Sequence, residues 1–285
     1  MNTNAVIDVG IGVLLMYLLL SLVCTMVNEL VSSILALRAK TLASGLKSLI
    51  DNDRLLQEFQ KHGVIAAQIA AAGGKPSYLA GSAVATALLD SLDPSKPLAL
   101  VSEAVSAAQQ LPESNVRDAI LTAATTAGND IDKLRASIAI WFDDSMDRLS
   151  GVYKRYLHWL SLAVGIALAI ALNADTISVA GTLWQDSDLR SSIAAAATAT
   201  KFDMTTLSQS SQSLQQIEST LRPFPLGWTS AAMRDIGFWG VLAKLLGLAM
   251  TGLALSLGAP FWFDMLSRFV NLRAAGIKPD RADAS

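Results

Sequence analysis

Cysteine and histidine are nearly absent from this sequence. Cys24 is the one cysteine in 285 residues, so no disulfide framework can form and any exported part of the chain folds without one. The two histidines, His62 and His158, lie far apart, and no Cys/His spacing typical of a metal site occurs. The sequence therefore predicts no metal site, no cofactor and no catalytic residues.

Charge is also scarce. Charged residues make up 16% of the chain and hydrophobic residues 52%, with a mean hydropathy of +0.42, which is apolar for a soluble protein. A net charge of -2 creates no field that would attract nucleic acid. Alternating β-branched runs are missing as well. The composition predicts an all-α membrane protein that does not bind nucleic acid.

Three apolar runs are long enough to cross a bilayer, at Val6–Val27, Tyr156–Leu172 and Ile236–Leu257. About 20 apolar residues in a helix span the hydrocarbon layer. No Lys or Arg precedes the first run, and it is too long for the apolar region of a signal peptide. We therefore predict a retained first span rather than a cleaved signal peptide.

The second span is predicted to continue a long helix from Asp130 to Leu172. At its centre, Lys154 and Arg155 are followed by Tyr156, His158 and Trp159. Cations stay with lipid headgroups and amphipathic rings sit at the interface, so this order is typical of a membrane–water boundary. His158 is accordingly interpreted as an interfacial residue rather than a proton relay.

These spans divide the chain into six predicted regions. They are an N-terminal tail with the first span (1–29), a helical domain (30–155), the second span (156–172), a smaller helical segment (173–235), the third span (236–257), and an amphipathic helix with a tail (258–285). The predicted fold is therefore three transmembrane helices with a helical domain inserted between the first two.

Within the helical domain, punctuation by Gly and Pro predicts helices at Tyr78–Leu92, Leu98–Gln110 and Glu113–Ala127, with Ser77 as a cap of the first. A further helix, Leu30–Asn52, carries an apolar stripe. Two interpretations of it remain open: it lies along the membrane surface, or it packs on the helical domain.

The distribution of Lys and Arg predicts the orientation, because cytoplasmic flanks are enriched in these residues. The cation-rich flanks contain Arg38, Lys40, Lys47, Arg148, Lys154, Arg155, Arg268, Arg273 and Lys278. Segment 173–235 offers only Arg190, Arg222 and Arg234 near its ends. We predict a periplasmic N-terminus, residues 38–155 in the cytoplasm, 173–235 in the periplasm and a cytoplasmic C-terminus.

Several phrases carry a resemblance to a known family. They are KPSYLAGSAVATALLDSL, QQLPESNVRDAI, WFDDSMDRLSGVYKR, FPLGW and GAPFWFDMLSRFVNLR, in that order, and they cover most of the chain from about residue 10 to 276. The chain resembles a widespread family of uncharacterised multi-pass proteins of the bacterial inner membrane. The resemblance implies architecture and a bacterial inner-membrane location, and it implies no activity.

Two of these phrases echo one another as Trp-Phe-Asp followed by an arginine. The candidate residues are Trp141, Asp143, Asp144, Asp147 and Arg148 in the first phrase and Trp262, Asp264 and Arg268 in the second. Asp144–Arg148 and Asp264–Arg268 are spaced i, i+4, so each can form a helix-surface ion pair. We favour an interfacial lock in which the two phrases dock, over a site for a cation or a phosphate-bearing ligand.

Lys244 lies inside the predicted third span, and Asp8 lies near the outer end of the first. Because an isolated charge in hydrocarbon is costly, the two residues are a candidate intramembrane pair. The alternative is that Lys244 snorkels to the outer interface.

The favoured function is a membrane-anchored scaffold or adaptor that binds protein partners. The alternative is a component of an oligomeric transporter or channel, since three spans with few polar residues are too few to enclose a route alone. The predicted partners are membrane lipid, other proteins and further copies of the chain. An enzyme is disfavoured because carboxylates without His, Cys or a phosphate-binding loop are weak signs of catalysis.

Overall fold

A computed structural model describes residues 3–95, 98–199, 211–228 and 237–275 of the chain. Within these ranges the regular structure is thirteen α-helices and no strand, which confirms the all-α prediction. The chain forms two compact units. The central unit is Ser32–Tyr156, and the terminal unit combines Met1–Val31 with Leu157–Ser285.

The helices follow one another with short connections. The first eight are α1 (Thr3–Ile34), α2 (Leu37–Ile50), α3 (Asp53–Lys61), α4 (Gly63–Ala71), α5 (Gly81–Leu92), α6 (Val101–Gln109), α7 (Asn115–Ala127) and α8 (Ile131–Ala171). The remaining five are α9 (Thr176–Gln185), α10 (Ser187–Ala199), α11 (Ser211–Leu221), α12 (Phe238–Ser256) and α13 (Ala259–Ala275).

Two helices are long and apolar enough to cross a membrane, α1 over Ala5–Ile34 and α12 over Phe238–Ser256. Helices α8 and α9 reach that standard only as a pair, bent by 49° at a short break. The described residues therefore supply two helices suited to a bilayer, or three if the bent pair is one span.

The helix predicted over Leu30–Asn52 is divided in two. Ala36 adopts a left-handed φ of 48°, which ends α1 and starts α2 in a new direction. The apolar stripe then separates: Leu42 and Leu46 are buried in the core of the central unit, whereas Leu30 and Ile34 are 59% and 70% exposed. The part of the stripe in α2 thus packs on the helical domain.

The core of the central unit is closed around α5 and α8. Its largest buried side chains are Phe59, Ile65, Leu88, Leu89 and Phe142. Close contact of α2 with α8 requires a glycine, because a Cβ atom at Gly45 would collide with the side chain of Leu149. This unit therefore holds together through its own apolar contacts.

Short polar side chains set several helix starts in the central unit. Asn52 accepts the Leu55 N–H at 3.0 Å before α3, and Ser114 accepts the Arg117 N–H at 3.4 Å before α7. Asp130 starts α8, where the Lys133 N–H holds the pKa of its carboxyl below the ordinary value. The predicted cap at Ser77 is wrong, because α5 begins three residues later, after Ala80, with no side-chain cap.

Helix α1 is the axis of the terminal unit. Its residues Ile11, Leu15 and Leu18 are fully buried. A Cβ atom at Gly12 would lie 2.7 Å from Leu183 Cδ1 on α9 and 3.4 Å from Ile193 Cγ2 on α10, so these helices pack directly on the α1 backbone.

Helix α13 turns back along α1. The turn follows α12 at Gly258, whose φ of 84° favours glycine. Contacts then step along the two helices in opposite directions: the rings of Trp262 and Tyr17 are 4.6 Å apart, a Cβ at Gly10 would lie 3.3 Å from Phe269 Cε1, and Arg273 Nε is 3.0 Å from Asp8 Oδ1. The end of α13 therefore lies beside the start of α1.

This reversal corrects the predicted placement of the C-terminal segment. The charge distribution put the N-terminus outside the membrane and residues 258–285 inside. Asp8 and Arg273 cannot lie on opposite sides when their side chains are in contact. The prediction failed because it treated the third span as a single crossing, whereas α12 and α13 form a hairpin.

Candidate functional site

A groove of about 590 Å³ runs between α7 and α8 in the central unit. Polar side chains from α7 and the α8 residues Trp141, Ser145 and Arg148 line it. The α8 positions are four and three residues apart, so they share one face of that helix. Sequence-predicted residues Trp141 and Arg148 are thereby brought to one surface.

Trp141 and Arg148 are held differently in this groove. Trp141 is half-buried and packs against the core, next to Phe142, which is almost fully buried. Arg148 is exposed, and its Nη2 donates to Ser145 Oγ at 2.8 Å. In the described part of the chain no ion pair joins Arg148 to Asp144, because the guanidinium is directed to Ser145 instead.

The acidic residues of the first phrase do not gather with this groove. Asp143 lies against α5, where a Cβ atom at Gly81 would be 2.6 Å from both carboxylate oxygens. Asp144 and Asp147 are exposed. These carboxylates therefore lie apart from the groove lining.

In the second phrase, Trp262 is a core residue of the terminal unit. Its Nε1 donates to the Ala254 carbonyl at 2.7 Å, which ties α13 to α12. Asp264 and Arg268 are exposed, and no ion pair joins them among the described residues. The two echoing phrases belong to different units. Their docking stays a prediction.

The candidate pair of Asp8 and Lys244 is replaced by two other contacts. Asp8 is 13% exposed and forms its ion pair with Arg273, although the N–H is not directed at the carboxylate as in a hydrogen bond. Lys244 Nζ lies over the ring of Trp228, 5.1 Å from the centroid, as a cation–π contact. The sequence argument compared depths along two spans and did not foresee that α13 would return to Asp8.

Polar groups accumulate at the break between α8 and α9. Asp175 Oδ1 accepts the N–H groups of Ile177 and Ser178 at 3.0 and 3.2 Å and so starts α9. Thr176 Oγ1 links the Tyr17 hydroxyl, at 2.8 Å, to the Thr251 hydroxyl, at 2.7 Å. This hydroxyl chain joins α1, α9 and α12 inside an apolar bundle.

The other side of the break is satisfied by the loop before α12. Asn173 has a left-handed φ of 47°, and its Nδ2 donates to the Gly227 carbonyl at 2.8 Å. Trp228 Nε1 donates to the Ile170 carbonyl at 2.8 Å. Asn173 Oδ1 is buried without a hydrogen-bond partner in the described structure. Protein groups thus replace most of the helical hydrogen bonds lost here, as irregular backbone among apolar helices requires.

Sequence reasoning missed the pairing of His62, which was interpreted as a surface residue without a partner. Its Nε2 lies 3.2 Å from Asp90 Oδ2, and both side chains are less than a third exposed. They border a cleft of about 310 Å³ with Ser91, whose Oγ donates to the Ala87 carbonyl at 2.5 Å. The 28-residue separation of His62 and Asp90 left no local signal.

No group of three or more His, Cys, Asp or Glu side chains that could hold a metal occurs among the residues that the structure describes. The hydroxyl of Ser91 is committed to the helix backbone, so the His62–Asp90 pair has no free nucleophile there. The arrangement fixes the α3–α4 corner on α5.

Cys24 is buried between α1 and α8. Its Sγ lies 3.8 Å from the Ser161 carbonyl, and Asn28 Nδ2 donates to Ser161 Oγ at 2.8 Å. The residue fills space at a helix contact, in line with its interpretation as a small packing residue. No family model, curated protein or solved structure matches the chain.

Proposed function

We propose that the protein is a membrane-anchored scaffold or adaptor whose α7–α8 groove binds a protein partner. The groove itself is the observation that supports this function. Trp and Arg dominate the binding energy of many protein interfaces, and here Trp141 and Arg148 share one helix face among polar side chains. The exposed apolar surface of α12, including Trp239 at 78% and Leu245 at 59%, suits contact with lipid.

The proposal includes a location and an orientation. We place the protein in a bacterial inner membrane, as the resemblance of its phrases implies. The charge bias supports residues 38–155 in the cytoplasm and 173–235 in the periplasm. The Asp8–Arg273 contact supports a common side for the start of α1 and the end of α13, which we assign to the periplasm.

Cysteine labelling tests this orientation. Single cysteines replace the exposed residues Val6, Ser95, Ser219 and Asn271 in a Cys24→Ser background. In cells with a permeabilised outer membrane, an impermeant thiol reagent is expected to label positions 6, 219 and 271 and to spare position 95 until the inner membrane is opened. Labelling of 95 but not 219 would reverse the orientation. Labelling of 6 but not 271 would exclude the hairpin.

A photocrosslinking amino acid tests the groove. Thr122 on α7 lines it and is exposed, whereas Thr125 is an exposed residue of the same helix outside it. We expect a discrete protein adduct from position 122 in living cells and none from position 125. Arg148→Ala should lower the yield at least fivefold, since an interface arginine typically contributes more than about 1 kcal/mol.

Lys133→Ala is the matched control, because Lys133 is an exposed cation on α8 that does not line the groove. Its adduct yield should equal that of the parent protein. Equal adducts from positions 122 and 125, or no effect of Arg148→Ala, would contradict partner binding in the groove. An adduct between position 122 and residues 261–268 of the same chain would show the interfacial lock instead.

One observation favours the alternative, a component of an oligomeric transporter. Broken helices with polar side chains at the break form substrate and ion sites in many transporters. The chain Tyr17–Thr176–Thr251 at the α8–α9 break has this character. We rank it second because nearly all of its described polar groups already have protein partners, which is what a purely structural break needs.

A further inference from the structure

A second, apolar cleft of about 490 Å³ opens in the central unit between α2 and the α3–α4 corner. Its floor reaches the core side chains Phe59, Ile65 and Leu79, each at most 1% exposed. Its walls include Ala39 and Ala43 of α2, whose small side chains leave the space open. The cleft is thus a preformed apolar slot of the size that ligands occupy.

One lip of this cleft is the end of a candidate membrane span. Ile34, the last residue of the span Ala5–Ile34, lines the cleft and is 70% exposed, and Leu35 beside it is 42% exposed. Tyr78, next to the floor residue Leu79, is 70% exposed, and tyrosine is enriched at membrane–water interfaces. The slot is therefore continuous with a surface suited to lipid.

The charges at the cleft have one sign. Lys40 and Lys75 line it, both are exposed, and no acidic side chain lines it. In the ranges that the structure covers, neither lysine takes part in an ion pair. Two free ammonium groups beside an apolar slot match an anionic headgroup attached to an acyl chain.

We propose that this cleft binds one anionic phospholipid, with an acyl chain in the slot between α2 and the α3–α4 corner and the phosphate at Lys40 and Lys75. An amphipathic helix of another protein would also suit an apolar groove. The continuity with the α1 span favours lipid, because a bilayer presents acyl chains to Ile34 and Leu35 whenever α1 is inserted. The site does not depend on the partner groove at α7–α8.

Native mass spectrometry of the full chain in neutral detergent tests the site. The probes are phosphatidylglycerol and phosphatidylcholine with the same palmitoyl and oleoyl chains. We expect one phosphatidylglycerol per chain to bind in preference to phosphatidylcholine. Lys40→Gln with Lys75→Gln should weaken phosphatidylglycerol binding about thirtyfold, from roughly fivefold per lysine at a membrane surface.

Two matched controls separate this site from general lipid contact. Arg38→Gln with Lys47→Gln removes two exposed cations near or on α2 that do not line the cleft, and binding should be unchanged. Ala43→Trp should fill the slot and abolish binding of both lipids, whereas Ser44→Trp, outside the cleft, should not. Thermal unfolding verifies that each variant remains folded.

Three results would overturn the proposal. Equal loss in the Arg38/Lys47 control would show unspecific charge attraction. Full binding by Ala43→Trp would show that no acyl chain enters the slot, as would equal competition by soluble glycerol phosphate. A photocrosslinker at position 43 that captures a second copy of the chain or another protein in cells, rather than lipid, would assign the cleft to that occupant.

Discussion

Gly165→Ala is expected to destabilise the terminal unit by about 3 kcal/mol, the upper part of the range for overpacking a tight contact. Gly165 of α8 meets Gly252 of α12, and a Cβ atom on Gly165 would lie 2.7 Å from the Gly252 carbonyl oxygen and 3.2 Å from Leu255 Cβ. Backbone atoms cannot rotate away, so the two helices would have to separate. Small residues permit such close approach between membrane helices.

The same helix provides the control. Gly151 of α8 has no atom within 4 Å of where its Cβ would lie. Gly151→Ala should be neutral or stabilising by up to about 1 kcal/mol, since alanine is the better helix former. Thermal unfolding in detergent compares the two variants. Similar midpoints for Gly165→Ala and Gly151→Ala would show that α8 and α12 are not in contact at Gly165.

Helix positions were predictable where punctuation is local. Gly128 ends α7, and the long helix begins one residue after Asp130 and ends at Ala171, close to the predicted limits. Periodicity and turn residues act over a few positions, so they can be identified in one sequence. Residues 203–210 of the helix predicted near Asp203–Leu221 lie outside the described residues, and α11 covers Ser211–Leu221.

Long-range pairings were not predictable. Nothing local distinguishes an apolar segment that ends at Asn173 from one that bends and continues as α9, because the difference depends on partners such as Gly227 and Thr251. The turn at Gly258 was recognised as a break, but its direction depends on contacts of α13 with α1, far away in sequence. The spacing of Trp141 and Arg148 placed them on one helix face, while the opposite wall on α7 required the tertiary fold.

Asp8→Asn is expected to destabilise the protein by about 2 to 3 kcal/mol. Removing one partner of a buried ion pair leaves the other charge uncompensated, at a cost of about 3 to 5 kcal/mol when burial is complete. The lower value applies here because Arg273 is a third exposed while Asp8 is 13% exposed. Arg273→Gln should cost a similar amount, and thermal unfolding in detergent measures both.

A double-mutant cycle decides which cation Asp8 contacts. Asp8→Asn with Arg273→Gln should recover at least about 1 kcal/mol relative to the sum of the single changes, as expected for groups in contact. Lys244→Met should cost only about 0.5 to 1 kcal/mol through its lost contact with Trp228, and its effect should add to that of Asp8→Asn. Coupling of Asp8 to Lys244 instead of Arg273 would restore the pairing inferred from span depth. It would also remove the main reason for placing the end of α13 beside the start of α1, because that placement depends on a direct contact of Arg273 with Asp8.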